Sequence, residues 1–144
     1  MVNDPVPDGY HNVNPFIFVD GAEGLVGFLV ETFAAEETER ITRPDGRIGH
    51  VEVRIGDSIV MVSDATGELP ARPCAHYLFV ADVDASYQRA LTAGATSLRE
   101  PSNQFYGNRE AGVVDAFDNI WWLATVIKKV APDELQRRWQ QSTP

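Results

Sequence analysis

Two heptapeptides, SIVMVSD at 58–64 and NIWWLAT at 119–125, decide how this chain is read. Each is strand-like, and each closes a series of elements that occurs twice. On a strand, neighbouring side chains point to opposite faces, so Trp121 and Trp122 cannot serve one purpose. Trp121 is expected beneath a helix in the core, and Trp122 on the other face of the sheet. Working back from the first heptapeptide, HNVNPFIFVD (11–20) reads as a strand. GAEGLVGFLVETFAAEE (21–37) spaces Leu25, Phe28, Leu29 and Phe33 as a helix does. ERITRPDGRIGHVEVRIGDSIVMVSDA (39–65) divides at its PDG and GD turns into three strands. The same order follows again: strand AHYLFVADVD (75–84), helix VDASYQRALTAGA (83–95), loop PSNQFYGNRE (101–110), then strands AGVVDA and NIWWLATVI. The first return strand of this second set is poorly defined in the sequence. APDELQRRWQQ (131–141) predicts a C-terminal helix with Pro132 in its first turn.

A repeat of this kind constrains architecture more than any short motif does. Laying VNPFIFVDGAEGL on HYLFVADVDASYQ pairs Val13 with His76, and laying SIVMVSD on NIWWLAT pairs Met61 with Trp122. The predicted fold is α+β: two βαβββ repeats, about 11–66 and 74–128, forming a curved mixed sheet with a cleft. A short helix at about 132–141 follows, all in one domain over 1–144. In each repeat a helix covers one face of the sheet, and the uncovered faces would line the cleft.

Composition narrows the partners. A net charge of −9 and a pI near 4.7 oppose nucleic-acid binding, which needs clustered Lys and Arg to neutralise phosphate. Cys74, the single cysteine, leaves no internal disulfide or cysteine-based zinc site and fits a reducing compartment. No apolar run approaches the length of a membrane span, and MVNDPVPDG has no secretory character. The expected location is cytoplasmic, with no membrane partner.

The segments GYHNVNPFIFVDGAEGLVGFLVETFAAEE, PDGRIGHVEVRIGDSIVMVSDA and QFYGNREAGVVDAFDNIWWLATVIKKVAPDELQRR resemble the vicinal oxygen chelate superfamily of glyoxalases, extradiol dioxygenases and fosfomycin- and bleomycin-resistance proteins. Within it they look like the PhnB-like branch, and the resemblance runs from about Gly9 to Arg138. It implies a homodimer with a ligand cleft. It also implies four metal-ligand positions in the metal-using members, on the first and last strands of each unit. Carried onto this chain, these fall at Val13, Met61, His76 and Trp122. Only His76 is a competent ligand, since a thioether suits a hard or borderline ion poorly and valine and tryptophan offer it nothing. The expectation is a cleft without metal or other cofactor, in which Trp122 supplies an aromatic wall.

Other candidates stand beside simpler readings. His50 and Glu52 alternate with Val51, Val53 and Ile55, so they form either an exposed rim or a general-base pair in which the carboxylate orients the imidazole. His76 is expected to hydrogen-bond a ligand. Phe105, Tyr106 and Arg109 sit on a glycine-containing loop of the type that borders binding sites. Arg109 has equal claims on an anionic substrate and on a nearby carboxylate. DAFDN is read as turn chemistry alone, and GAEG is not a phosphate loop. Leu135 and Trp139 form a stripe that would dock on the body or on a second subunit. The predicted function is metal-independent binding and sequestration of an aromatic or cationic compound by a homodimer, with acidic surroundings favouring a cation. The rival is a metal-dependent lyase or isomerase, its ion held by His11, His50, Glu52 or His76.

Overall fold

Alternation of valine and isoleucine with polar residues builds two four-stranded sheets, each carrying one helix. The computed structural model describes residues 3–142. The first unit comprises β1 (Phe16–Val19), α1 (Ala22–Phe33), β2 (Glu36–Thr42), β3 (Ile48–Ile55) and β4 (Ser58–Asp64). The second comprises β5 (Ala75–Phe79), α2 (Val83–Thr92), β6 (Thr96–Asn103), β7 (Asn108–Val114) and β8 (Ile120–Val126). α3 (Pro132–Ser142) follows. Strand orders are β1-β4-β3-β2 and β5-β8-β7-β6, so the two units share one topology. In each, the first strand runs parallel to the last and the rest are antiparallel. The parallel pair is joined through a crossover that includes the helix, which therefore lies on one face.

On that face Ile17, Val19, Val51, Val53, Val60 and Val62 are buried in the first unit, as are Ala111, Val113, Trp121 and Leu123 in the second. Helix starts are fixed by carboxylates. Asp64 accepts from the backbone N–H of Gly21 (3.1 Å), Ala22 (2.8 Å) and Ile48 (2.7 Å), tying α1 to β3 and β4. Asp82 accepts from Ala85 N–H at 3.1 Å and caps α2.

β6 is the strand that the sequence left indistinct. Pro101 lies inside it, and its pairing with β7 shifts register between Ser97 and Arg99 and again between Arg99 and Ser102. An edge strand tolerates a proline because that position has no need of an N–H on its open side.

The units meet through their helices. α1 packs on α2, and Phe28 and Phe33 of α1 lie 6.4 and 5.9 Å from the Trp121 ring. Arg89 Nε donates to the Thr32 carbonyl at 3.1 Å. One core cluster spans both units. The DAFDN turn does more than reverse the chain. Asp115 is buried and accepts from Phe117 N–H (2.8 Å), Asn119 N–H (3.0 Å), Asn119 Nδ2 (3.0 Å) and Trp121 Nε1 (2.8 Å). Phe117 reaches the start of α1 in the other unit, where a Cβ on Gly21 or Gly24 would come within 3.0 Å of its ring.

Candidate functional site

Strand register assigns every candidate to a face. β1 pairs with β4 as Phe16↔Met61, and β5 with β8 as His76↔Trp121 and Tyr77↔Trp122. The structural equivalent of Phe16 is therefore Tyr77, and the sequence alignment of Val13 with His76 was displaced. Val13 precedes β1 and is 85% exposed. Trp121 is in the core, as its alternation predicted, and Trp122 is on the uncovered face. His76 and Trp122 do not share a face: His76 stacks on Trp121 at 4.7 Å. Burial holds the His76 pKa below the ordinary imidazole value, so the ring is neutral at pH 7, and its Nδ1 is buried with no hydrogen-bond partner among the described residues.

The uncovered face of the second sheet carries a row of cross-strand neighbours: Arg99 on β6, Gly112 on β7, Trp122 on β8 and Tyr77 on β5. The Trp122 indole packs against Gly112, and a Cβ there would be 2.6 Å from the ring. Arg99 stands 5.3 Å from the centroid of that ring, a cation–π separation. Beside this row Glu110, 3% exposed, is held by three donors. Tyr77 donates to Oε2 at 2.5 Å, while Tyr106 (2.6 Å) and Arg99 (3.2 Å) donate to Oε1. Asn108 Nδ2 in turn donates to the Tyr77 hydroxyl at 3.0 Å. Burial and the Glu110 bond push the Tyr77 phenol up to about 12 and raise Tyr106 as well. Both phenols therefore stay protonated as donors.

The first sheet's uncovered face carries Phe16, Phe18, Met61, His50 and Glu52. Phe16 stacks on Phe18 at 4.6 Å and meets His50 edge-on at 5.4 Å. Glu52 is buried and accepts from Tyr10 and, at 2.7 Å, bonds His50 Nε2. Burial raises the Glu52 pKa, but the bonds to Tyr10 and His50 outweigh it and the carboxyl ends below its ordinary value. His50 and Glu52 thus form one hydrogen-bonded pair on the uncovered face, Glu52 buried and His50 partly so.

Register also tests the chelating set. Where a divalent ion would be held, the facing residues are Phe16, Met61, Tyr77 and Trp122. Three offer no hard donor, and the fourth gives its hydroxyl to Glu110. This donor set does not fit a divalent ion. Among the described residues no three His, Cys, Asp or Glu side chains converge.

Arg109 lies off this face and makes a bidentate pair with Asp84 at 2.7 and 2.9 Å, the carboxylate alternative of its two readings. His11 is half-exposed and bonds the Asp57 carbonyl at 3.0 Å. Phe105 packs 5.9 Å from Trp139, and Arg138 Nη1 donates to the Phe105 carbonyl at 2.7 Å, so α3 docks on its own chain's loop. The roles of Arg99, Glu110, Gly112 and Tyr10 were not read from sequence. Alternation in NREAGVV puts Glu110 and Gly112 on one face, but only the fold shows which rings they meet.

The two uncovered faces do not close on each other within one chain. Among the described residues no hydrogen bond, ion pair or ring contact joins them. Phe16, Tyr77 and Phe79 are 45%, 45% and 67% exposed. A cavity of about 740 Å³ lies between the units instead, walled by Phe33, Ile55, Val60, His76, Leu78 and Trp121.

No family model matches the chain. The uncharacterized protein Mb0911c of Mycobacterium bovis is 35% identical over 135 residues, covering 86% of this chain and 89% of that one. Rv0887c of Mycobacterium tuberculosis, also uncharacterized, is 35% identical over 135 residues, covering 86% and 79%. Among solved structures, TioX from Micromonospora sp. ML1 superposes with a TM-score of 0.66 at 23% identity, covering 80% of this chain and 99% of TioX. A glyoxalase/bleomycin resistance protein/dioxygenase family enzyme from Burkholderia phytofirmans PsJN gives 0.64 at 19% identity, covering 82% and 97%. The fosfomycin resistance protein FosX from Listeria monocytogenes gives 0.59 at 15%, covering 86% and 96%. At these identities the structural likeness speaks for the fold.

Proposed function

The chain belongs to one family with the two mycobacterial proteins and has the fold of the vicinal oxygen chelate superfamily, and from that premise we propose that it is a metal-independent small-molecule-binding protein, capturing a planar aromatic compound in the cleft of a cytoplasmic homodimer. The observation that carries this reading is the Trp122 indole packed closely against Gly112, with Tyr77 and Phe79 exposed beside it. A preorganised aromatic wall with a few placed polar groups is how ligand sites are commonly built. Positions suited to chelation carry rings and a thioether, so sequestration is favoured over metal chemistry.

A second copy supplies what one chain lacks. Two-fold symmetry would lay the first-unit face of one subunit, with Phe16 and Met61, opposite the second-unit face of its partner, and repeat this to give two equal clefts. Covering exposed aromatic surface is favourable at about 25 cal/mol per Å².

The test is calorimetric titration of the full chain with planar aromatics, proflavine and bleomycin among them, alongside analysis of each compound after incubation. One bound ligand per cleft with the compound recovered unchanged is the expected result. Release of a chemically altered product would end the sequestration reading. A second reading, a metal-dependent lyase or isomerase, draws on the His50–Glu52 pair, whose 2.7 Å bond could orient an imidazole base. One tightly held divalent ion per purified chain would favour it.

A further inference from the structure

Resting on the aromatic-cleft reading above, we infer that the ligand is a planar aromatic anion, an aryl carboxylate or its equivalent, whose charged group meets Arg99 while its ring meets Trp122. This reverses the cation expected from net charge. That charge of −9 is a sum over the whole surface, and exposed charges are screened over about 8 Å at physiological salt. What a bound molecule feels is the group it touches.

Glu110 and Glu52, the buried carboxylates of the two uncovered faces, have little capacity left. Both Glu110 oxygens are occupied, Oε1 by Tyr106 and Arg99 and Oε2 by Tyr77. Glu110 is 3% exposed, so no ligand reaches it without displacing a phenol. Glu52 is equally committed, one oxygen to Tyr10 and the other to His50. Arg99 differs. Its side chain is 48% exposed, and of the five N–H donors of a guanidinium it gives one to Glu110 among the described residues. Glu110 takes one guanidinium N–H and the Trp122 ring lies 5.3 Å away, so the other donors are not used by the described residues. A carboxylate matches those donors, because bidentate charge-assisted bonds to arginine are the strong ones. An ammonium placed at Trp122 meets the Arg99 cation, and the adjacent Glu110 has both oxygens occupied.

Gly112 determines the geometry. Any side chain at that position would lift the indole, since a Cβ would sit 2.6 Å from it, and the ring and the guanidinium would no longer present one continuous surface. The recognised unit is therefore an aromatic ring with its anionic group attached directly or through one atom.

Three naphthalenes of one shape separate charge from ring binding: 2-naphthoate, 2-naphthamide and 2-naphthylmethylammonium. Each is titrated calorimetrically into the full chain and into the Arg99→Gln and Arg99→Lys variants, with thermal melts to establish folding. The wild type is expected to prefer naphthoate to the ammonium by about tenfold, the gain from one charge-assisted hydrogen-bond pair. Arg99→Gln should erase that preference, and Arg99→Lys should keep part of it. Equal or tighter binding of the ammonium overturns the inference, as does an Arg99→Gln variant that weakens all three ligands alike. Should the variants fail to fold, the wild-type ranking decides alone. If none of the three binds, the aromatic-cleft reading itself fails, which is distinct from binding with the wrong charge order.

Discussion

Asp64 and Glu52 show how single carboxylates hold this molecule in shape. Burial opposes ionisation of Asp64, yet bonds from Ala22, Ile48 and Gly21, with Arg47 nearby, take its pKa below the ordinary 3.8. Glu52 is likewise lowered from 4.5. A carboxyl whose folded pKa is depressed stabilises above its unfolded value and loses that stabilisation as pH falls through the folded one. Urea midpoints are therefore expected to hold steady at neutral pH and decline as acid passes below the ordinary carboxylate values, less steeply in an Asp64→Asn, Glu52→Gln double variant. Asp64→Ala strands three backbone N–H groups and should cost about 3 kcal/mol at pH 7, measured by urea unfolding. At Gly112 substitution acts on function. Gly112→Ala should swing Trp122 off the strand and away from Arg99, changing tryptophan emission and weakening aromatic ligands while leaving the fold intact.

The two helices come from equivalent places in the repeat but end differently, and this separates what was legible from what was not. α2 ends at Ala93 with φ −81°, and Gly94 at φ +104° takes the left-handed turn that glycine adopts freely. α1 ends at Ala34 with φ +53°, a left-handed conformation that costs a side-chain-bearing residue about 1 kcal/mol or more. Ala34→Gly is therefore expected to raise stability by about 1 kcal/mol and Ala93→Gly to lower it by a similar amount, both read from urea midpoints. Helix spacing at Leu25, Phe28, Leu29 and Phe33 and the PDG and GD turns made the elements of the first unit readable. β6 was harder because Pro101 and the register shifts break its alternation. The site was harder still. Whether Trp122 opposes His76 or Tyr77 depends on a one-residue register between β5 and β8, set by hydrogen bonds that leave no trace in a single sequence. Arg99 drew no notice because nothing local distinguishes a strand arginine over an indole from one in water.

At the scale of the molecule, the helices of both units are spent on each other and on a shared core, so the uncovered sheet faces look outward. A pair of aromatic, half-exposed faces in one chain suits self-association, and it gives the proposed homodimer a direct test. Phe79 is 67% exposed on the second unit's uncovered face. Phe79→Glu should leave the circular dichroism spectrum unchanged, shift the sedimentation coefficient from dimer to monomer and abolish aromatic binding with it. A wild-type chain that sediments as a monomer at tens of micromolar would defeat the dimer cleft.

Phe117 ties the history of the two halves together. Its ring leaves the final hairpin of the second unit and rests where Gly21 and Gly24 begin the helix of the first. Neither half can drift alone: enlarging either glycine is answered in a turn more than ninety positions away along the chain. A fragment cut near residue 70 would lack the ring that finishes its own helix start, so severed halves should regain order only when mixed.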